Sequence, residues 1–240
     1  MATKDEVRRG VWERMREGGA ARFPFPIVGR IPNFKGAEAA AERLAGTDAW
    51  KRAKVLKCNP DSPQRPVRQR ALDEGKTIYM AVPRLTELEC FIEIDPAGMD
   101  AAARRKASTI AGAADHGEPV PIDALRPVDL IVAGSVGVRR DGARAGKGGG
   151  YSDLEYALAK TLGLVGDDRT TIATTVHPLQ LTDDRWELRP HDIPVDLIVT
   201  PDETIETRTK HPRPEGVYWD LLKPEMRAKI PVLEQFAKDS

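Results

Sequence analysis

The sequence predicts an α/β protein of the three-layer α/β/α kind, single-domain and Rossmann-like, with a mostly parallel central sheet. Three observations carry that expectation. Short apolar runs rich in β-branched residues recur between residues 53 and 200, amphipathic helical patterns separate several of them, and glycine or proline punctuates the joins. Strands that alternate with helices need crossover connections, which make neighbouring strands parallel and cover both faces of the sheet.

The elements follow in order. Thr3 with Glu6 forms a capping box, and Val7, Val11, Trp12 and Met15 then repeat at helical spacing until Gly18-Gly19. A proline-rich connector leads to an alanine-rich helix over 37–44 that stops at Gly46. Residues 53–58 read as a strand, 63–74 as a helix ending at Gly75, and 77–82 as the next strand. Further strands are expected at 90–94, 128–133, 171–176 and 195–200, with helices at 100–113 and 152–162. After Thr200 the chain turns polar and proline-interrupted over 204–215, and 217–238 carries one or two short amphipathic patterns. The expected division is an α/β domain over 1–203 and a tail over 204–240 that packs on the domain or on a partner subunit.

Composition narrows the function classes. Thirty-seven basic and thirty-seven acidic residues cancel, so no global field draws the protein to nucleic acid or to an anionic membrane. The stretch after Thr200 is too short for an RNA-recognition module and lacks its aromatic strand motifs. Cys58 and Cys90 are too few for a disulfide framework, and no apolar run approaches the roughly 20 residues of a spanning helix. With a charged N-terminus from Lys4 onward, the expectation is a cytoplasmic protein, monomeric or homodimeric, that acts on a small molecule.

The chemical signal lies beyond the strand at 128–133, in Arg144-Ala-Gly-Lys-Gly-Gly-Gly-Tyr-Ser-Asp153. Gly146, Gly148, Gly149 and Gly150 let backbone approach an anion closely, Arg144 and Lys147 add charge, and a helix opening near Ser152 offers free N–H groups. Spacing alone leaves two readings open: a phosphate-binding loop, or a hairpin tip with solvated basic residues. The run matches neither the common P-loop nor the dinucleotide fingerprint. Asp153 favours the first reading, because a carboxylate against phosphates suits a bridging magnesium ion. His191-Asp192 before the strand at 195–200 offers either a second carboxylate or a hydrogen-bonded surface turn. No set of ligands has zinc spacing, and no serine or cysteine has a readable base beside it.

Several separated motifs resemble the 5-formyltetrahydrofolate cyclo-ligase (methenyltetrahydrofolate synthetase) family from about Lys4 to Thr200. They are Lys4-x-x-x-Arg8, the Gly75-Lys76 turn before Pro83-Arg84, the glycine run at 144–153, and His191-Asp192 with Asp196. Residues 30–36, 57–61 and 146–156 are similar to the divergent methenyltetrahydrofolate synthetase domain-containing branch. The resemblance implies ATP and Mg2+ as cofactors and closure of 5-formyltetrahydrofolate to 5,10-methenyltetrahydrofolate through a phosphorylated formyl oxygen. It places Lys4, Arg8, Arg144 and the loop from Gly146 to Tyr151, Lys147 included, on the ATP phosphates. Arg144 and Lys147 would be catalytic, Asp153 and Asp192 would hold magnesium, and Leu56 and Asp61 would face the pterin. The sequence departs from the family pattern at Asp61, where glutamate is usual, and at Ser152, where a second aromatic is usual. Those departures keep open an ATP-dependent enzyme with another substrate, thiamine-related among them. Substitution of Asp153 or Lys147 is expected to leave the fold intact, both lying on an accessible loop.

Overall fold

The computed structural model describes residues 1–236; positions 237–240, which include the end of the amphipathic pattern read over 217–238, lie outside the described residues. In chain order, α1 (Lys4–Glu17) is followed by the two-stranded ribbon β1 (Ala21–Arg22) and β2 (Asn33–Phe34), then α2 (Ala37–Ala45) and the short α3 (Asp48–Arg52). Next come β3 (Val55–Cys58), α4 (Arg65–Asp73), β4 (Thr77–Ala81), β5 (Phe91–Ile94), α5 (Ala101–Ala107), α6 (Ile110–His116) and β6 (Glu118–Val120). The second half runs β7 (Leu130–Val132), the ribbon β8 (Gly137–Val138) and β9 (Arg144–Ala145), α7 (Tyr151–Thr161), β10 (Thr171–Thr175), β11 (Leu197–Val199) and β12 (Thr204–Glu206). Two short helical turns, α8 (Pro224–Arg227) and α9 (Leu233–Phe236), close the described chain.

Eight strands form one mixed sheet in the order β12-β11-β10-β7-β3-β4-β5-β6. The five central strands from β11 to β4 are parallel, while β12, β5 and β6 pair antiparallel at the two ends. The expected mostly parallel α/β sheet is therefore present. The chain leaves β3 toward β4 on one side and returns to place β7 on the other, so β3 and β7 flank a topological switch point.

Each sheet face carries its own core. On one, Leu44, Trp50, Val67 and Leu72 from α2 to α4 pack on Leu56, Ile78 and Leu130. On the other, Leu154 and Leu158 of α7, with Ile230, Val232 and Leu233 near the C-terminus, pack on Val55, Tyr79, Ile131 and Ile198. A third cluster seats α1, through Val7, Val11, Trp12 and Met15, on Val136, Ala145 and Trp186. Helix α1 opens with the expected capping box on Thr3 and Glu6.

One local reading differs from the structure, and two details extend what was expected. The helix expected over 100–113 is two helices, because the Thr109 hydroxyl accepts from the Gly112 N–H at 3.0 Å and caps α6 as a new start. The strand at 90–94 is antiparallel to its predecessor, the link from β4 being too short for a crossover. The sheet also continues past residue 203, since β12 pairs with β11 through Thr204↔Val199.

Candidate functional site: a basic cleft at the switch point

Carboxyl ends of parallel strands beside a switch point are where chain crossovers leave a crevice. Here that crevice is a cavity of about 1380 Å³. Its walls include residues 59–62 after β3, 81–84 after β4, Gly134 after β7, the N-terminus of α1, the loop 146–150 and the first turns of α7.

The glycine loop enters α7 through Gly150, which sits at φ 72° with no side-chain cap, so the first-turn N–H groups keep no side-chain acceptor. Gly148 has φ 101°, a left-handed conformation that favours glycine, and its Cα packs beside the Arg8 guanidinium, which a Cβ would meet at an ordinary contact distance of 3.4 Å. Arg8 donates from Nε to the Gly146 carbonyl at 2.6 Å, tying α1 to the loop. Arg144 is 3 % exposed; it donates to the Gly134 carbonyl at 2.9 Å and to Asp153 Oδ1 at 2.6 Å, and among the described residues its Nε has no acceptor.

Asp153 lies in the first turn of α7 and also accepts the Ile193 N–H at 3.1 Å. Both of these bonds fall on Oδ1, and among the described residues Oδ2 has no hydrogen-bond or ion-pair partner. The neighbouring residue, Asp192, is buried; one oxygen pairs with Lys4 and the other accepts the Arg189 N–H at 2.6 Å. Thus the Ile193 amide joins the two aspartates along one wall. Lys147 crosses the cavity to Asp61 Oδ1 at 2.9 Å, and Asn59 Oδ1 accepts from the Gly134 N–H at 3.2 Å and the Ser152 hydroxyl at 3.1 Å.

The fold therefore brings Lys4, Arg8, Asp61, Arg144, Gly146, Lys147, Gly148, Gly149, Gly150, Tyr151, Asp153 and Asp192 onto one cavity. Leu56 is not among its walls: it is fully buried in the core under α2 and α4, because alternate residues of β3 face opposite sides of the sheet. Asp153 does not sit on an accessible loop either, its side chain being 16 % exposed and bound to a buried arginine.

Sequence reading missed Asn59, the buried ion pair between Lys57 of β3 and Glu155 of α7, and the cavity wall formed by residues near the C-terminus. A lysine inside an otherwise apolar strand was the available signal for the pair. Neither thiol is a nucleophile candidate. Burial pushes Cys90 up to about 11 and raises Cys58 as well, against the opposing charge of Arg68.

Among the described residues no group of three or more histidine, cysteine, aspartate or glutamate side chains is arranged to hold a metal ion. Magnesium differs from zinc in commonly taking one or two protein carboxylates and completing its shell with phosphate oxygens and water. The free Oδ2 of Asp153 beside Asp192 fits that donor set.

A doubly wound sheet with a basic, glycine-lined cleft at its switch point defines the class, an α/β protein whose crevice opens at the carboxyl ends of parallel strands. The particular family follows from comparison: residues 1–201 match the model of the 5-formyltetrahydrofolate cyclo-ligase family, and the chain belongs to that family. Methenyltetrahydrofolate synthase domain-containing proteins are similar along nearly the whole chain. The Bos taurus protein is 39 % identical over 99 % of this chain and 64 % of its own length, and the Mus musculus protein 41 % over 96 % and 62 %. The chain thus spans about three fifths of the length of these curated relatives. The NMR structure of Aquifex aeolicus 5,10-methenyltetrahydrofolate synthetase shares the fold, with a TM-score of 0.51 at 20 % identity over 87 % of this chain and 95 % of that one. No described helix is long and apolar enough to cross a membrane.

Proposed function

We propose that this chain is an ATP- and magnesium-dependent ligase that converts 5-formyltetrahydrofolate to 5,10-methenyltetrahydrofolate. One observation carries the reading: Lys4 and Arg8 of α1, Arg144 of β9 and Lys147 of the glycine loop line one cavity at the α7 N-terminus, which also holds four aspartates. Enzymes of this family use ATP and Mg2+.

The chemistry asks for little covalent work from the protein. The formyl oxygen of the substrate is a poor leaving group. Transfer of the terminal phosphoryl group of ATP to that oxygen releases ADP; N10 then attacks the same carbon and gives up its proton to solvent, the C–O bond breaks, and phosphate leaves with the ring closed. Such a sequence needs alignment and charge neutralisation rather than a nucleophile. Lys4 and Arg8 from α1, Arg144, and the backbone of 146–151 hold the phosphates, and the unpartnered Arg144 Nε is a buried donor for an anion. Asp153 and Asp192 would hold magnesium, which would supply charge neutralisation to the phosphates. Asp61, after β3, lines the same cavity and would face the organic substrate.

The Lys147–Asp61 contact favours a second reading, because it gives the substrate-side carboxylate a cation partner within the protein. An ATP-dependent enzyme of another substrate, a thiamine-related heterocycle among them, is that alternative. Mixing the purified protein with Mg-ATP and 5-formyltetrahydrofolate and following methenyl absorbance separates the two. Lys147→Ala is expected to lower turnover by about a hundredfold or more. Its melting temperature should change little, since the Lys147 side chain is 46 % exposed. ATP binding without product at high enzyme concentration rejects the folate reading in favour of the second.

A further inference from the structure

The family match ends at residue 201, yet the cavity does not. Gly216, Val217, Tyr218, Leu221, Leu222, Lys223 and Met226 all line it. This segment is held at both ends. Glu215 pairs with Lys160 of α7 at 3.5 Å, and Ile230, Val232 and Leu233 are sunk in the core beneath the same helix. Between these anchors Val217, Trp219, Leu222 and Met226 pack against the core, while Leu221 stays 47 % exposed.

The chemistry of this wall differs from that of the phosphate side. Its face is aliphatic and aromatic, with a single cation at Lys223, and Arg84 lines the cavity after β4. Among the described residues neither the Arg84 nor the Lys223 side chain has an ion-pair or hydrogen-bond partner. An apolar, partly aromatic surface beside unpaired cations suits a flat ring body that carries an anionic arm.

We propose that residues 216–226, outside the family-matched core, form the specificity-determining wall for the organic substrate, Tyr218 and Leu221 contacting its ring body and Lys223 its anionic arm. The inference rests on the ligase reading above and names the part of the cavity that selects the second substrate.

The test uses the full chain. Leu221→Cys places the one accessible thiol, both native cysteines being fully buried. Labelling by a maleimide should slow about fivefold or more in saturating 5-formyltetrahydrofolate and should be unaffected by Mg-ATP alone. In the native-cysteine background, Lys223→Glu should raise KM for 5-formyltetrahydrofolate about fivefold while leaving KM for ATP unchanged, as reversal of one exposed charge beside an anion requires. Both positions are exposed, so unchanged melting curves will confirm an intact fold. If 5-formyltetrahydrofolate binds by calorimetry or turns over, but neither labelling nor KM responds, the wall assignment is overturned and the ligase reading stands. If 5-formyltetrahydrofolate does not bind at all, both fall.

Discussion

Removing the Asp153 carboxylate tests how the phosphate loop is held before any ligand arrives. Arg144 is 3 % exposed, and Asp153 is the only carboxylate within its reach among the described residues; its other acceptor is the Gly134 carbonyl. Asp153→Ala therefore strands a buried guanidinium. It also leaves the Ile193 N–H without its acceptor and takes a negative charge from the first turn of α7. Breaking a buried pair from one side costs about 3 kcal/mol or more. For a chain of this size that lowers the melting temperature by about 6–12 °C. Thermal unfolding at pH 7, followed by circular dichroism, reads the shift directly. Adding Arg144→Met to the same variant should recover most of it, since no buried charge is then left unpaired. A single Asp153→Ala protein that melts within about 2 °C of the parent would refute the argument.

Two further outcomes follow from groups away from the loop. Lys57→Met leaves Glu155 buried without its cation and should destabilise by about 3–5 kcal/mol, whereas Lys57→Met with Glu155→Leu should regain most of that in urea unfolding. His177 is held below its ordinary value of 6.5 by burial, with Asp202 opposing, and its Nδ1 accepts the Leu179 N–H at 3.1 Å. The unfolded chain thus binds the proton more readily, so this contribution is present above about pH 6.5 and is lost as pH falls toward the lower folded value. His177→Asn keeps a side-chain acceptor at the cap and should flatten the loss of stability between pH 7.5 and 5.5; an unchanged difference between those pH values refutes the assignment.

What was legible in the sequence depended on how local the signal was. The capping box at Thr3 and Glu6, the apolar strand runs and the glycine cluster are written within a few residues, and the structure shows the first two as elements where they were expected. The break between α5 and α6 was hidden because alanine-rich periodicity runs through it, while one threonine hydroxyl restarts the helix. Edge strands escaped for a different reason. β6 and β12 pair on one side only, so Pro119 and exposed glutamates are tolerated and no apolar alternation marks them. At the site, residue types were readable but partners were not. Lys4 finds Asp192 and Lys147 finds Asp61 only after the chain has crossed the sheet several times. Leu56 was misplaced by a single step of the strand pleat, which sends its neighbours, not itself, toward α7.

The burial of Ile230, Val232 and Leu233 beneath α7 bears on how the protein is made. During synthesis, strands β3 to β11 leave the ribosome before residues 230–233, so the apolar face under α7 stays uncovered until those side chains emerge. A nascent chain arrested shortly after β12 has most of its sheet and an open hydrophobic flank. Such an intermediate keeps its apolar flank exposed until residues 230–233 are made, so completing the sheet does not by itself complete the core.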